Sequence, residues 1–345
     1  MERGIYTRTE IFTQPEAWAQ ALDVVEQART GLEPLLRAEY DQVLFTGCGS
    51  TYYLSLAAAA LFQELTGRIA RAVPGGELLL NPRTVVAGAS AGKALLVAIS
   101  RSGSTTETVR AAGQFKLQKR GSVIAITNYG DQPLAGLADV PLVIEKGQEE
   151  SVAQTRSFAS MYVAATALAA LASGDEILLK AMAGLPDAGH KLLAAYEPLA
   201  REFGENLALD RFYFLGSGGR YGLACEANLK LKEMTLTHSE PFHFLEFRHG
   251  PMSMVTDSAV VVGLLSEKNF NHEYMVLKEM IAMGGAILTL GEEGTMVEFS
   301  SGIPESGRGV LYLPILQLMA FYRSLAKGLN PDCPNNLTAV IKLDL

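Results

Sequence analysis

A chain of 345 residues, 48% of them hydrophobic, can bury more than one ordinary core. Its 29 Lys and Arg against 37 Asp and Glu give a net charge of −8, spread without a basic tract, which excludes nucleic acid as the expected partner. Three isolated cysteines (Cys48, Cys225, Cys333), no apolar signal core at the N-terminus and a longest apolar run of only 161–172 predict a cytoplasmic protein without disulfides or membrane association.

Residues 1–38 read as a polar lead-in followed by helix, with Ala19, Leu22, Val25 and Ala28 at helical spacing. Gln42 to Thr46 is a short apolar strand ended by Gly47-Cys48-Gly49-Ser50-Thr51, and an Ala/Leu-rich helix follows. Ala94 to Ser100 is an apolar strand ended by Arg101-Ser102-Gly103-Ser104-Thr105-Thr106-Glu107-Thr108, again with a helix behind it. Gly121 to Thr127 and Val140 to Ile144 read as the next two strands. Near-continuous apolar strands alternating with helices predict a parallel sheet covered on both faces.

The pattern then restarts. Arg211 to Leu215 is a strand with Gly216-Ser217-Gly218-Gly219 as its turn. Val260 to Ser266 is a second strand, Glu273 to Met283 a helix, and Gly285 to Leu290 a third strand. Gly49 matches Gly218, Ser100 matches Ser266 and Gly121 matches Gly285, at a nearly constant offset. The fold class is therefore α/β, two doubly wound parallel-sheet domains related by internal duplication. Their expected bounds are 39–174 and 208–329, with a helical lead-in over 1–38, a helical linker over 175–207 and a tail over 330–345.

Acid/base chemistry is sought in the opening helix of the second copy. At roughly 100° per residue, Leu223, Ala227, Leu231 and Met234 share one side. Glu226, Lys230 and Glu233 form a stripe beside that face, whereas Lys232 points to water. Such a stripe is either a partly buried site or a ladder of i,i+4 and i,i+3 salt bridges. His238, Glu240, His243, Glu246 and His249 follow, so three of the chain's five His fall in one run with three Phe. Imidazoles and carboxylates near apolar rings can be tuned for proton transfer, although His243 reads as a hydrogen-bonded core residue. No ligand spacing accompanies the run, and no metal is expected.

Anion chemistry is sought in the first copy. Its two hydroxyl-rich loops lead into helix N-termini, where free N–H groups and the helix dipole favour an anion. Part of any Ser/Thr run serves as ordinary helix caps, but Ser-x-Ser-Gly-x-Thr exceeds what a cap requires. The matching place in the second copy is Ser266-Glu267-Lys268-Asn269-Phe270, with an acid where an anion would sit. One phosphate site per chain is expected. Gly47-Cys48-Gly49 and Gly216-Ser217-Gly218 lack the third glycine of a dinucleotide fingerprint. Gly88-Ala89-Ser90-Ala91-Gly92 has the nucleophile-elbow pattern but precedes a strand, and reads as a loop.

On Ser-Arg-Ser-Gly-Ser-Thr, Glu-Glu-Ser-Val-Ala-Gln-Thr-Arg, Leu-Lys-Leu-Lys-Glu and Arg-His-Gly-Pro, the chain resembles the tandem sugar isomerase (SIS) domain family. The likeness runs from Glu10-Ile11 and Gln14-Pro15 to the C-terminal segment. It points to the isomerase half of glucosamine-6-phosphate synthase and to stand-alone ketose/aldose isomerases, amino-sugar-phosphate deaminases and deglycases. The resemblance implies a phosphate loop at Ser100, Arg101, Ser102 and Thr105, and sugar contacts at Cys48, Ser50, Val152 and Gln154. It further implies Glu233 as proton shuttle, Lys230 as its neighbour and His249 as the ring-opening acid/base. That histidine would serve the other subunit of a homodimer, and no cofactor would be needed. Two departures stand out. No glutamine-hydrolysing domain precedes the isomerase part in this sequence. The family's Asn-Leu-x-Lys, whose lysine forms a Schiff base, is here Asn336-Leu337-Thr338-Ala339, and Lys342, on a strand, would point to the opposite face. The expected function is an aldose–ketose phosphosugar isomerase or amino-sugar-phosphate deaminase, the alternative a sugar-phosphate sensor without turnover.

Overall fold

The computed structural model describes residues 3–86, 93–338 and 343. The glycine-serine pattern at 88–92, Ala339 and Lys342 lie outside the described residues. In chain order the helices are α1 (Ile5–Phe12), α2 (Gln14–Gln27), α3 (Arg29–Arg37), α4 (Ser50–Thr66), α5 (Gly75–Leu80), α6 (Pro82–Val85), α7 (Thr106–Leu117), α8 (Pro133–Leu137), α9 (Arg156–Ser173), α10 (Glu176–Met182), α11 (Leu185–Glu205), α12 (Gly219–Thr235), α13 (Phe244–Phe247), α14 (Phe270–Ala282) and α15 (Leu313–Ala326). The strands are β1 (Gln42–Gly47), β2 (Ala70–Pro74), β3 (Ala94–Ser100), β4 (Gly121–Thr127), β5 (Val140–Val143), β6 (Arg211–Leu215), β7 (His238–Phe242), β8 (Ala259–Leu264), β9 (Ala286–Gly291) and β10 (Val297–Glu298).

Two five-stranded sheets result, ordered β2-β1-β3-β4-β5 and β10-β9-β8-β6-β7, and every pairing is parallel. Reversed, the second order repeats the first strand for strand, so the chain holds one α/β layout twice. The matched turns share a backbone. Gly49 has φ 57° and ψ −124°, Gly218 φ 59° and ψ −136°, a region open to glycine and costly for other residues. The Gly-x-Gly that resembles a dinucleotide fingerprint is thus the tight strand-to-helix turn of each copy.

The chain divides into two compact units. One comprises Glu16–Glu149, Arg156–Ala183 and Thr338–Leu345 and contains the first sheet; the other comprises Met1–Pro15, Glu150–Thr155 and Gly184–Leu337 and contains the second. In the first, β3 is buried at every position, which is why its sequence is apolar without alternation. Leu96 and Ala98 pack with Ala111, Ala112 and Phe115 of α7. Leu95, Val97 and Ile99 face the other way, the side that α4 and α9 cover. In the second unit Val261 and Leu215 pack on Phe244, Phe247, Val276 and Met280 of α13 and α14, and α12 and α15 cover the opposite face. Residues 175–207 are divided between the units: α10 packs on α9, and α11 on α15.

Three strands escape the sequence pattern, namely β2, β7 and β10. Each pairs on one side only. These edge strands are only partly buried (β2 has one buried position of five, and so has β7), so they lack the apolar run that marks β3, whereas the fourth edge strand, β5, keeps enough apolar residues to be read. The stretch Gly309–Ala326 also exceeds the 161–172 run, with the length and mean hydropathy (1.3) of a membrane span. It is 89% buried against its own unit, the position of a core helix.

Candidate functional site

In the first unit the loop after β3 is built around Gly103. Its φ of 63° turns the chain, and a Cβ there would lie 2.8 Å from Gln132 Cβ. The end of β4 and the start of α8 hold the turn. Asn128 N–H and the Thr127 hydroxyl donate to the Arg101 carbonyl, and Leu134 N–H donates to the Gly103 carbonyl. Thr105 stands at the N-cap of α7, yet its hydroxyl makes no capping bond and lies 3.2 Å from Ser100 Oγ. Ser102 Oγ accepts from Ser104 N–H and Ser104 Oγ, both at 3.2 Å. The hydroxyls of Ser100, Ser102 and Thr105 therefore gather at the open N-terminus of α7, where N–H groups and the helix dipole suit an anion. The Arg101 guanidinium is buried and faces the Glu149 carboxylate at 3.7 Å, an ion pair that supports the loop from within.

The β1–α4 turn adds Cys48 and Ser50. Cys48 Sγ lies 3.4 Å from Thr108 Oγ1 on α7, and burial pushes its thiol pKa up, so at neutral pH it is a thiol, not a thiolate. Ser50 is buried at the first turn of α4. From the tail, Leu343 N–H donates to Thr106 Oγ1 at 3.1 Å.

The corresponding loop of the second unit carries its own carboxylates. Glu273 Oε2 accepts from Ser266 N–H at 2.7 Å and from the Ser266 hydroxyl at 3.0 Å. Glu305 Oε2 accepts from Glu267 N–H at 3.2 Å and Lys268 N–H at 3.4 Å. Arg220 pairs with both acids. Backbone and hydroxyl donors of this second loop are thus engaged by the protein's own carboxylates.

On α12 the charged stripe is real and buried. Lys230 and Glu226 are 2% and 1% exposed, with Nζ to Oε1 at 3.4 Å, and Lys230 makes a second, closer bond to Glu233 Oε2. Glu233 retains 20% exposure, while Lys232 is solvated. The stripe is thus a salt-bridge ladder in a place where charge is costly, one ammonium between two carboxylates. Of the three groups, Glu233 is the one that reaches outwards.

The histidine run does not cluster. His243 is an exposed residue, not a core one, and its ring stacks on Tyr221 with centroids 4.0 Å apart. The cover on that face lowers its pKa, which keeps it neutral at pH 7. His238, Glu240, Glu246 and His249 are exposed as well, and the core reading of the run belongs instead to Phe244 and Phe247. Among the described residues no hydrogen bond joins the His249 ring to Lys230 or Glu233. Val152 and Gln154 lie on the 150–155 loop. Val152 N–H donates to the Asp332 carbonyl at 3.0 Å, and among the described residues the side-chain oxygen of Gln154 is buried without a hydrogen-bond partner.

Glu149 and Thr108 lie beside the site residues without being singled out by the sequence pattern, whereas Glu226 is already part of the stripe on α12. Glu149 stands at the head of the Glu-Glu-Ser-Val-Ala-Gln-Thr-Arg motif. Thr108 carried no signal of its own, because its link to Cys48 spans 60 positions.

A family model described as SIS domain matches residues 36–171 and 209–294. Glutamine–fructose-6-phosphate aminotransferase (isomerizing) from Pyrococcus horikoshii is 29% identical over an alignment covering 99% of this chain and 59% of that protein. The Thermococcus kodakarensis protein of the same name is also 29% identical, over 97% of this chain and 57% of its own length. The chain therefore spans somewhat under three fifths of these relatives. Among solved structures, glucosamine-6-phosphate deaminase from Thermotoga maritima has a TM-score of 0.81 at 27% identity, covering 98% of this chain and 100% of that one. Tagatose-6-phosphate ketose/aldose isomerase from Escherichia coli reaches 0.85 at 24% identity, over 97% and 96%, a likeness of fold.

Proposed function

The chain belongs to the SIS domain family, and from that premise we propose that it is a phosphosugar isomerase or deaminase acting on a hexose or amino-hexose 6-phosphate. Ser100, Ser102 and Thr105 bind the phosphate at the N-terminus of α7, with Arg101 held behind them by Glu149. Cys48, Ser50, Val152 and Gln154 contact the sugar. Glu233 moves a proton between C1 and C2 through an enediol or enolamine. Lys230 holds that carboxylate in place, and His249 assists ring opening. In the same reading the protein is a cytoplasmic homodimer, His249 acting in the site of the partner subunit.

The observation that carries the proposal is the Lys230–Glu233 pair, a buried ammonium bonded to a carboxylate that keeps access to the surface. A pair kept for stability alone would be cheaper exposed or replaced by apolar residues. The relatives' names support a substrate that is a hexose 6-phosphate or its 2-amino form. Ala339 has no amine with which to form an imine, and Lys342 or Lys230 would serve only if the tail or the helix shifted, so the reading has no covalent imine to the protein and favours deamination, deglycation or plain isomerisation.

The test is NMR of hexose and amino-hexose 6-phosphates with the protein in D₂O. Expected are deuterium exchange at C1 or C2 together with ketose formation or ammonia release. Binding without exchange for every sugar tried would overturn the enzyme reading in favour of a sensor.

A further inference from the structure

The loop 150–155 is fastened at three points by groups of its own unit. At its start, one oxygen of the Glu10 carboxylate on α1 accepts Glu150 N–H at 2.7 Å and Ser151 N–H at 3.1 Å, and the other accepts the Ser151 hydroxyl. In its middle, Val152 N–H donates to the Asp332 carbonyl. At its end, Gln317 Nε2 on α15 donates to the Thr155 carbonyl at 3.2 Å, and Gln14 Nε2 donates to Gln317 Oε1 at 3.0 Å. The Asp332 carboxylate in turn accepts Thr7 N–H and the Thr7 hydroxyl, both at 2.8 Å, which ties α1 to the same frame. Glu10 is 3% exposed and Asp332 5%.

Burying a carboxylate carries a large desolvation cost, and a loop that only needed cover could rest on an apolar side chain. A carboxylate does what an apolar residue cannot: it sets the direction of two consecutive N–H groups, and with them the peptide that leads into Val152. Among the described residues the side-chain oxygen of Gln154, two residues on, is buried with no hydrogen-bond partner, as a group open to a ligand donor would be.

We infer that Glu10 is a positioning residue, whose carboxylate holds the 150–152 backbone so that Val152 and Gln154 are presented to the sugar of a phosphorylated hexose. The inference rests on the phosphosugar reading of the site. Glu10 acts through the loop and does not touch the substrate.

The experiment compares wild type, Glu10→Ala and Glu10→Gln in the full chain. Titration calorimetry measures glucose 6-phosphate, fructose 6-phosphate and inorganic phosphate, and hydrogen exchange follows the amides of 150–152. Glu10→Ala should weaken both sugar phosphates by about tenfold, leave inorganic phosphate within about twofold, and speed exchange at Glu150 and Ser151. Glu10→Gln keeps an oxygen for both N–H groups. Its amide can donate to the Ser151 hydroxyl, which then turns to the Ala153 carbonyl 3.0 Å away. Most of the sugar affinity should therefore return. Should Glu10→Ala not fold, Ser151→Ala removes one of the three bonds and should show the same selective loss, about two- to threefold. Unchanged sugar affinity in Glu10→Ala, or equal loss for sugar phosphate and phosphate, overturns the inference. If wild type binds phosphate but no sugar phosphate, it is the phosphosugar reading that fails. The exchange measurement then decides separately, and unchanged protection at 150–151 in Glu10→Ala would still refute the role of Glu10.

Discussion

Glu233 and Lys230 sit three residues apart on α12 but in different surroundings, the ammonium 2% exposed and the carboxylate 20%. That difference is what the proposed roles rest on. A group shut away from solvent can hold a neighbour in place, and one at the edge can exchange a proton with a bound molecule. Glu233→Gln keeps the side-chain shape and removes the base. Sugar-phosphate affinity should stay within about threefold while C1/C2 exchange in D₂O falls by at least about 10²-fold, the usual worth of a positioned general base. A ladder of purely structural worth would give the reverse, lower stability with exchange retained. His243 shows the limit of reading single residues. A histidine among three phenylalanines looks like a core residue, yet its ring lies on Tyr221 at the surface, because the chain leaves β7 there and Phe242, Phe244 and Phe247 are the residues that pack on the core.

At the scale of elements, the loop–helix unit from β3 to α7 depends on one residue in a left-handed conformation. Gly103→Ala meets both a φ of 63° and a Cβ contact of 2.8 Å with Gln132. The backbone term alone costs about 1–2 kcal/mol, and relief of the contact moves the hydroxyls the loop presents. Phosphate affinity should fall by more than about tenfold in calorimetry. Gly113 is inside α7, and an alanine methyl there would meet nothing within 4 Å, so Gly113→Ala should stabilise the protein by about 0.5–1 kcal/mol and leave phosphate binding unchanged. Equal effects of the two substitutions would show that the loop conformation is not what binds the anion. Strands show the same division between readable and hidden. The central β3, β4, β6, β8 and β9 announce themselves by apolar runs, whereas the edge strands β2, β7 and β10 are defined by which neighbour they pair with.

At the scale of the whole molecule, the duplication is a repeat of layout and not of chemistry. Two sheets with the same strand order end in loops at matching places, but Glu273 and Glu305 engage the donors of the second loop. One phosphate or sugar phosphate should therefore bind per chain, and calorimetric stoichiometry near two would refute the asymmetry. By itself the sequence determined the fold class, the two copies, the central strands and the hydroxyl loop, since each depends on periodicity or on residues adjacent in the chain. It also named Glu226, Lys230 and Glu233 as one stripe, because helical spacing is local. Whether that stripe was solvated or buried, whether Thr105 capped its helix or turned to Ser100, and which carboxylates met the second loop were decided only by tertiary structure. Burial depends on what packs against a face, and partners such as Arg101 and Glu149 or Glu10 and Ser151 lie 48 and 141 positions apart, beyond the reach of any local pattern.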